Sequence, residues 1–248
     1  MNHVMLDIET LGQGSNVVIT SVAAIQFDIN TGQIGEKFHT YINIESCMDF
    51  DLKVEPSTLL WWLEQTDEAR KGLIEGNKIG KSLDIALTDL KLFFNRIADS
   101  SIKQFKASDI IVWGRGPRFD MGILTNAYKK VGYLLPWNFR NEMCVRTMEW
   151  LRPLIKSKTP AVDIGHGSTG RGLHNATFDA LYQISYVSAI WNALNDRTRL
   201  RTLIDKTTGF YAGDGTSCLP TKDIDTLIDE VFPEIAELIP GQKTFFKQ

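Results

Sequence analysis

Along the first 44 residues the apolar positions repeat every second residue. His3 to Ile8 alternates toward an apolar strand, Val17 to Phe27 is β-branched with period-two character, and Lys37 to Ile44 alternates again. Turn-forming stretches, Gly12-Gln13-Gly14-Ser15-Asn16 and Asn30-Thr31-Gly32, separate these runs. The pattern predicts a three-stranded antiparallel meander.

Helical spacing then takes over. Pro56 to Glu64 and Thr66 to Ile74 are expected as short helices, the first with Pro56 and Ser57 as starting signals, and Leu83 to Ala98 as a longer one. Asp109 to Trp113 is a short apolar run suited to a strand buried on both faces. Gly114-Arg115-Gly116-Pro117 breaks it, and a helix is expected from Arg118 to Gly132. A strand near Glu142 to Arg146 and a helix from His174 to Leu194 complete the alternation. Antiparallel strands first and α/β units later indicate a mixed sheet flanked by helices. The chain changes character after about residue 206, with two glycine-threonine turns, an acidic amphipathic stretch from Asp223 to Leu238 and a basic tail. The expected organisation is a main domain of residues 1–205 with an extension, 206–248, packed on it.

Length and charge narrow the function. A chain of 248 residues with 43% hydrophobic and 23% charged residues has the composition of an ordinary globular protein. Its apolar runs fall short of the roughly 18 residues a membrane span needs, and its opening, MNHVMLDIET, lacks a signal-peptide pattern. A cytoplasmic location is expected, in keeping with three widely spaced cysteines, Cys47, Cys144 and Cys218, that form neither a disulfide framework nor a zinc spacing. The net charge of −3 divides unevenly: −7 over residues 1–102, +7 over 103–172 and −3 over 173–248. The middle third is therefore where a polyanion is expected to lie, with acidic flanks that can concentrate divalent cations.

Three short motifs carry candidate chemistry. Asp7 and Glu9, two apart on the first strand, project from the same face. Like charges held that close repel, and a hard divalent cation such as Mg²⁺ or Mn²⁺ between them removes the repulsion. About one such pair is expected by chance in this composition, so alone it does not decide between a cation site and two solvated acids. Asp120 would stand in the first turn of a helix entered from the carboxyl end of a strand, where open α/β sheets place ligands. His174 and Asp179 lie five residues apart at the start of the last helix.

In combination, strand-borne D-x-E-T, F-D after a central strand and H-x-A-x-x-D-A on the last helix resemble the DEDDh exonucleases, a DnaQ-like family. Thr58-Leu59-Leu60-Trp61-Trp62 and Arg115-Gly116-Pro117-Arg118-Phe119-Asp120 look closest to its bacteriophage exonuclease A members. The resemblance spans about residues 3–195. It implies a ribonuclease-H-like fold and hydrolysis of phosphodiesters from a 3′ end with two metal ions, Mg²⁺ or in its place Mn²⁺, releasing nucleoside 5′-monophosphates. On that basis Asp7 bridges the metals, Glu9 and Asp179 complete one metal site and Asp120 holds the second. His174, with an imidazole that ordinarily titrates near pH 6.5, takes a proton from the attacking water.

Substrate contacts are expected from Thr10, Leu11 and Gly12, through backbone groups and an apolar wedge, as in the equivalent loop of that family. Adjacent helical residues point about 100° apart, so one of Trp61 and Trp62 should face the cleft and the other the core; Trp62 is carried among the substrate-binding candidates. Arg171, in the glycine-rich segment 166–172, and Arg115, Arg118, Lys129 and Lys130 are candidates for phosphate contacts. Arg115 and Arg118 stand where many cellular members of the family have an asparagine. The leading expectation is an exonuclease acting on 3′ ends of single-stranded DNA. The alternatives are an exoribonuclease trimming RNA ends and, behind it, a non-catalytic nucleic-acid-binding module.

Overall fold

The computed structural model describes residues 1–100, 105–116, 118–151 and 175–194. Its sheet has five strands, β1 (His3–Thr10), β2 (Ile19–Phe27), β3 (Ile34–Tyr41), β4 (Ile111–Gly114) and β5 (Glu142–Cys144), in the order β3-β2-β1-β4-β5. The first three pair antiparallel as the expected meander, while β1–β4 and β4–β5 are parallel. This is the mixed sheet the alternation predicts, and it agrees with the ribonuclease-H-like fold that the resemblance implies. The third strand lies three residues earlier than the Lys37–Ile44 pattern suggests, because Asn43 instead caps a helix, α1 (Ile44–Asp49), by accepting from the Ser46 amide at 2.9 Å.

The other helices are α2 (Pro56–Leu63), α3 (Asp67–Ile79), α4 (Leu83–Asp99), α5 (Asp120–Val131), α6 (Val145–Leu151) and α7 (Ala176–Leu194). Three of these starts have a local cause in the sequence. Pro56 sits where a helix has no use for its missing N–H, and Thr66 caps α3 by accepting from Ala69. Asn175 accepts from the Thr177 and Phe178 amides, so α7 begins two residues later than expected. At the other end of α5, Gly132 takes the left-handed conformation (φ 80°) that closes the helix. The expected strand Glu142–Arg146 is three residues of strand followed at once by α6, which moves Arg146 from a strand to a helix.

The two faces of β1 have different partners. Val4, Leu6 and Ile8 point into the larger core, with Leu83, Leu87 and Leu90 of α4 and Ile123 and Leu124 of α5. Met5 points the other way, into a smaller core with Trp113, Val145 of α6, and Ala180, Ile184 and Val187 of α7. Asp7 and Glu9 continue the Met5 face toward the end of the strand. The apolar row therefore ends in two acids, and α7 runs beside them. Among the described residues no helix is long and apolar enough to cross a membrane. The extension 206–248 and Cys218 lie outside the described residues.

Candidate active site

Four carboxyl groups converge at the carboxyl end of the parallel strands. Ligand oxygens of Asp7 and Glu9 on β1 and Asp179 on α7 all lie within 4.8 Å of one another. The β1–β2 register slips between Glu9 and Thr10, so that Glu9 faces Ser21, Thr10 faces Ile19, and Thr20 is an extra residue in β2. Such a bulge bends the strand pair where the acids emerge. Asp120, the first residue of α5, completes the group from below β4 and is 3% exposed. Gly114 makes its placement possible: a β-carbon there would stand 2.9 Å from Asp120 Oδ2 and 2.8 Å from the Met121 sulfur.

The electrostatics follow from this crowding. Burial pushes the Asp7 carboxyl well above the usual carboxylate range, and the charges of Asp120, Glu9 and Asp179 add to it; a hydrogen bond from Gln183 opposes them. Burial, then Asp179 and Asp120, raise Glu9 to about 8. Asp120 rises to about 7, again through burial, although backbone amides of Asp120, Arg115 and Ile8 and the charge of Arg146 hold it down. Its Oδ2 has no hydrogen-bond partner among the described residues. Buried acids that repel one another and leave an oxygen unsatisfied suit a divalent cation. All-oxygen donors select a hard ion of the Mg²⁺ or Mn²⁺ type, and the spacing of Asp7, Glu9 and Asp179 fits one small cation.

Two cavities meet at Glu9 and Trp62. The larger, about 670 Å³, is lined by Thr10, Gly12, Trp61, Phe119 and Arg146 among others. The smaller, about 220 Å³, lies against β2, β3 and α3 and includes His39, Tyr41, Glu68 and Asn175. The loop after β1 is held open by Glu55, whose carboxylate accepts from the amides of Gln13 and Gly14 at 2.9 and 3.0 Å. Gly12 is required there, since a β-carbon would be 2.3 Å from Val17 Cγ1 and 2.9 Å from Glu55 Cδ.

Several expected contacts are placed differently. Leu11 is 2% exposed and belongs to the larger core, so its side chain is not free to wedge against a nucleotide; Thr10 and Gly12 do line the larger cavity. Trp62 does line both cavities, but it is 3% exposed and its indole N–H donates to the Thr10 carbonyl at 3.0 Å. The accessible ring is Trp61, 42% exposed and edge-on to Trp62. Arg115 is engaged by Glu149 of α6 at 3.3 Å, and Arg118 is exposed. Lys129 and Lys130 are in the last turn of α5, about 15 Å of helix from Asp120, with Lys130 paired to Asp51. His174 and Arg171 lie outside the described residues.

Three contributors escaped the reading of the sequence: Gln183, Glu55 and Arg146. Only Gln183 had a signal, standing four residues after Asp179 and hence on the same helical face.

The sequence matches the family described as the 3′-5′ exoribonuclease Rv2179c-like domain over residues 2–191. An exodeoxyribonuclease of Enterobacteria phage T4 is 28% identical over 134 residues, which are 51% of this chain and 56% of the phage protein. The chain thus spans little more than half the length of that relative. Among solved structures, E. coli exonuclease I in complex with a dA16 oligonucleotide superposes with a TM-score of 0.56 at 14% identity, over 82% of this chain and 43% of that one. Its complex with a dT13 oligonucleotide gives a TM-score of 0.48 at 15% identity, over 83% and 44%. The likeness to the dA16 complex establishes the fold.

Proposed function

Because the chain belongs to the 3′-5′ exoribonuclease Rv2179c-like domain family, we propose that it is a metal-dependent 3′-5′ exonuclease that releases nucleoside 5′-monophosphates from single-stranded DNA. The observation that carries this reading is the convergence of ligand oxygens of Asp7, Glu9 and Asp179 within 4.8 Å of one another, with Glu9 on the wall of the larger cavity and an Asp120 oxygen that has no hydrogen-bond partner among the described residues.

Asp7, Glu9 and Asp179 would hold one divalent cation, and Asp7 with Asp120 a second. Bound there, such ions would supply an activated water and charge neutralisation at the leaving oxygen. The chain's own residues do the rest. His174 takes the proton of the attacking water; the new bond forms from that oxygen to phosphorus, the bond from phosphorus to the 3′ oxygen breaks, and the 3′ oxygen gains a proton from solvent. Support for the His174 role is that Asn175, its neighbour in the chain, lines the same cavity as Glu9. Thr10 and Gly12 border the larger cavity beside Glu9 and would seat the terminal sugar, with Trp61 offering a face for a base.

DNA as substrate follows the phage resemblance and the T4 relative, which is named an exodeoxyribonuclease. The family description, an exoribonuclease domain, favours RNA as the second reading. The test uses 5′-labelled single-stranded DNA and RNA oligomers, a duplex and a circular single strand, each with Mg²⁺, Mn²⁺ or EDTA. A ladder shortening from the 3′ end of linear DNA, abolished by EDTA, is expected. Cutting of the circle, or equal rates in EDTA, would overturn the reading.

A further inference from the structure

Arg146 stands in the second position of α6, directly after β5, at the carboxyl end of the parallel strands where ligands bind open α/β sheets. Among the described residues lining the 670 Å³ cavity it carries the one positive charge, and Glu9 the one negative charge. Its neighbour Arg115 is neutralised by Glu149, three residues further along the same helix, whereas Arg146 forms no ion pair among the described residues and is exposed. The backbone at Gly116, with φ +138°, runs close beneath it: a β-carbon at that position would lie 3.7 Å from the guanidinium carbon. The loop so fills one side of the guanidinium, while the cavity is open to it on another.

A strand approaching this site brings one negative charge per linkage toward four carboxyl groups, so binding needs a cation that is not held in an ion pair. Arginine suits that task, since its planar fork pairs two N–H groups with two phosphate oxygens. We infer that Arg146 binds a single backbone phosphate of the strand where it enters the acidic site, the contact for which Arg115 and Arg118 looked the obvious candidates. The inference rests on the exonuclease reading and names one determinant of how that site holds its substrate.

The experiment measures binding of a fluorescent single-stranded DNA to the full chain in EDTA, over a range of salt, for wild type, Arg146→Gln and Arg146→Lys. Glutamine should weaken binding about 10-fold and reduce the slope of log K against log salt by about 0.7, the share of one phosphate on a single strand. Lysine should restore the slope and part of the affinity. A set of oligomers, each with one neutral methylphosphonate linkage near the 3′ end, should then show one linkage whose neutralisation weakens wild type and leaves Arg146→Gln unaffected. An unchanged slope in Arg146→Gln, or a loss tied to no single linkage, overturns the inference. Failure of wild type to degrade any oligomer with Mg²⁺ or Mn²⁺ would instead sink the exonuclease reading.

Discussion

Gln183 Nε2 donates to Asp7 Oδ1 at 2.8 Å, from a position one helical turn beyond Asp179 on α7. Asp7 is thereby oriented by the same helix that delivers its neighbouring acid, Asp179. The amide is 5% exposed, and its own oxygen has no partner among the described residues.

Replacing this amide separates orientation from stability. Gln183→Leu removes the donor that aims Asp7 and also removes an unsatisfied buried oxygen, so the fold should tolerate it. Loss of such a supporting hydrogen bond ordinarily costs about 10–100-fold in metal affinity. Calorimetric titration with Mn²⁺ should show that weakening with an unchanged melting temperature; wild-type affinity would mean that Asp7 needs no such support.

The acidic cluster makes the metal-free protein sensitive to alkali. A carboxyl whose folded pKa lies above its unfolded value binds more protons when folded, so stability falls as pH rises between the two values. For Glu9 the window runs from 4.5 to about 8, and for Asp120 from 3.8 to about 7. Melting temperatures in EDTA should therefore decline from pH 5 to pH 8. Mg²⁺ should bind more tightly as these groups ionise and flatten the decline. Asp7→Asn should raise the melting temperature in EDTA by about 2–4 °C for each kcal/mol of repulsion removed, while abolishing hydrolysis. A melting temperature independent of pH and of this substitution would contradict the crowded geometry.

The two tryptophans should fail in different ways. Trp61→Ala removes an exposed ring, and the loss of one stacking face, worth about 1–3 kcal/mol, should weaken DNA binding by about 10-fold without altering the melt. Trp62→Ala empties a core position and frees the Thr10 carbonyl, at a cost of about 3–5 kcal/mol of stability. Parallel denaturation and binding curves distinguish the pair, and a destabilised Trp61→Ala with intact binding would reverse their roles.

His174→Ala should lower turnover by about 10²–10⁴-fold, the usual range for a general base, and leave Mn²⁺ binding intact. The remaining activity should lose the acidic limb that imidazole protonation imposes on the pH profile. A variant that retains both rate and profile would remove His174 from the mechanism.

Much of this is legible in the sequence. Asp7 and Glu9 share a face because strand residues alternate, and Met5 before them explains why that face is buried up to the acids. Local geometry does not say which helix crosses that face, so Gln183 became a partner of Asp7 only once α7 was seen to lie along β1. Arg146 was hidden for another reason: a three-residue strand running straight into a helix shows neither period for long enough to be recognised. Leu11, beside the first motif, packs into the larger core, and of the two adjacent tryptophans on α2 it is Trp62 that is buried while Trp61 is left outside.

The sequence by itself determined the order of elements and the mixed sheet, because hydrophobic period is a local property that each segment carries alone, while the four acids were singled out by the resemblance of their motifs to the DEDDh exonucleases. Only the tertiary structure decided which charges remain available. Among the described residues Arg115 is paired with Glu149, Arg146 forms no ion pair and Asp120 keeps an oxygen without a hydrogen-bond partner, because pairing depends on distances between segments that no spacing along the chain encodes.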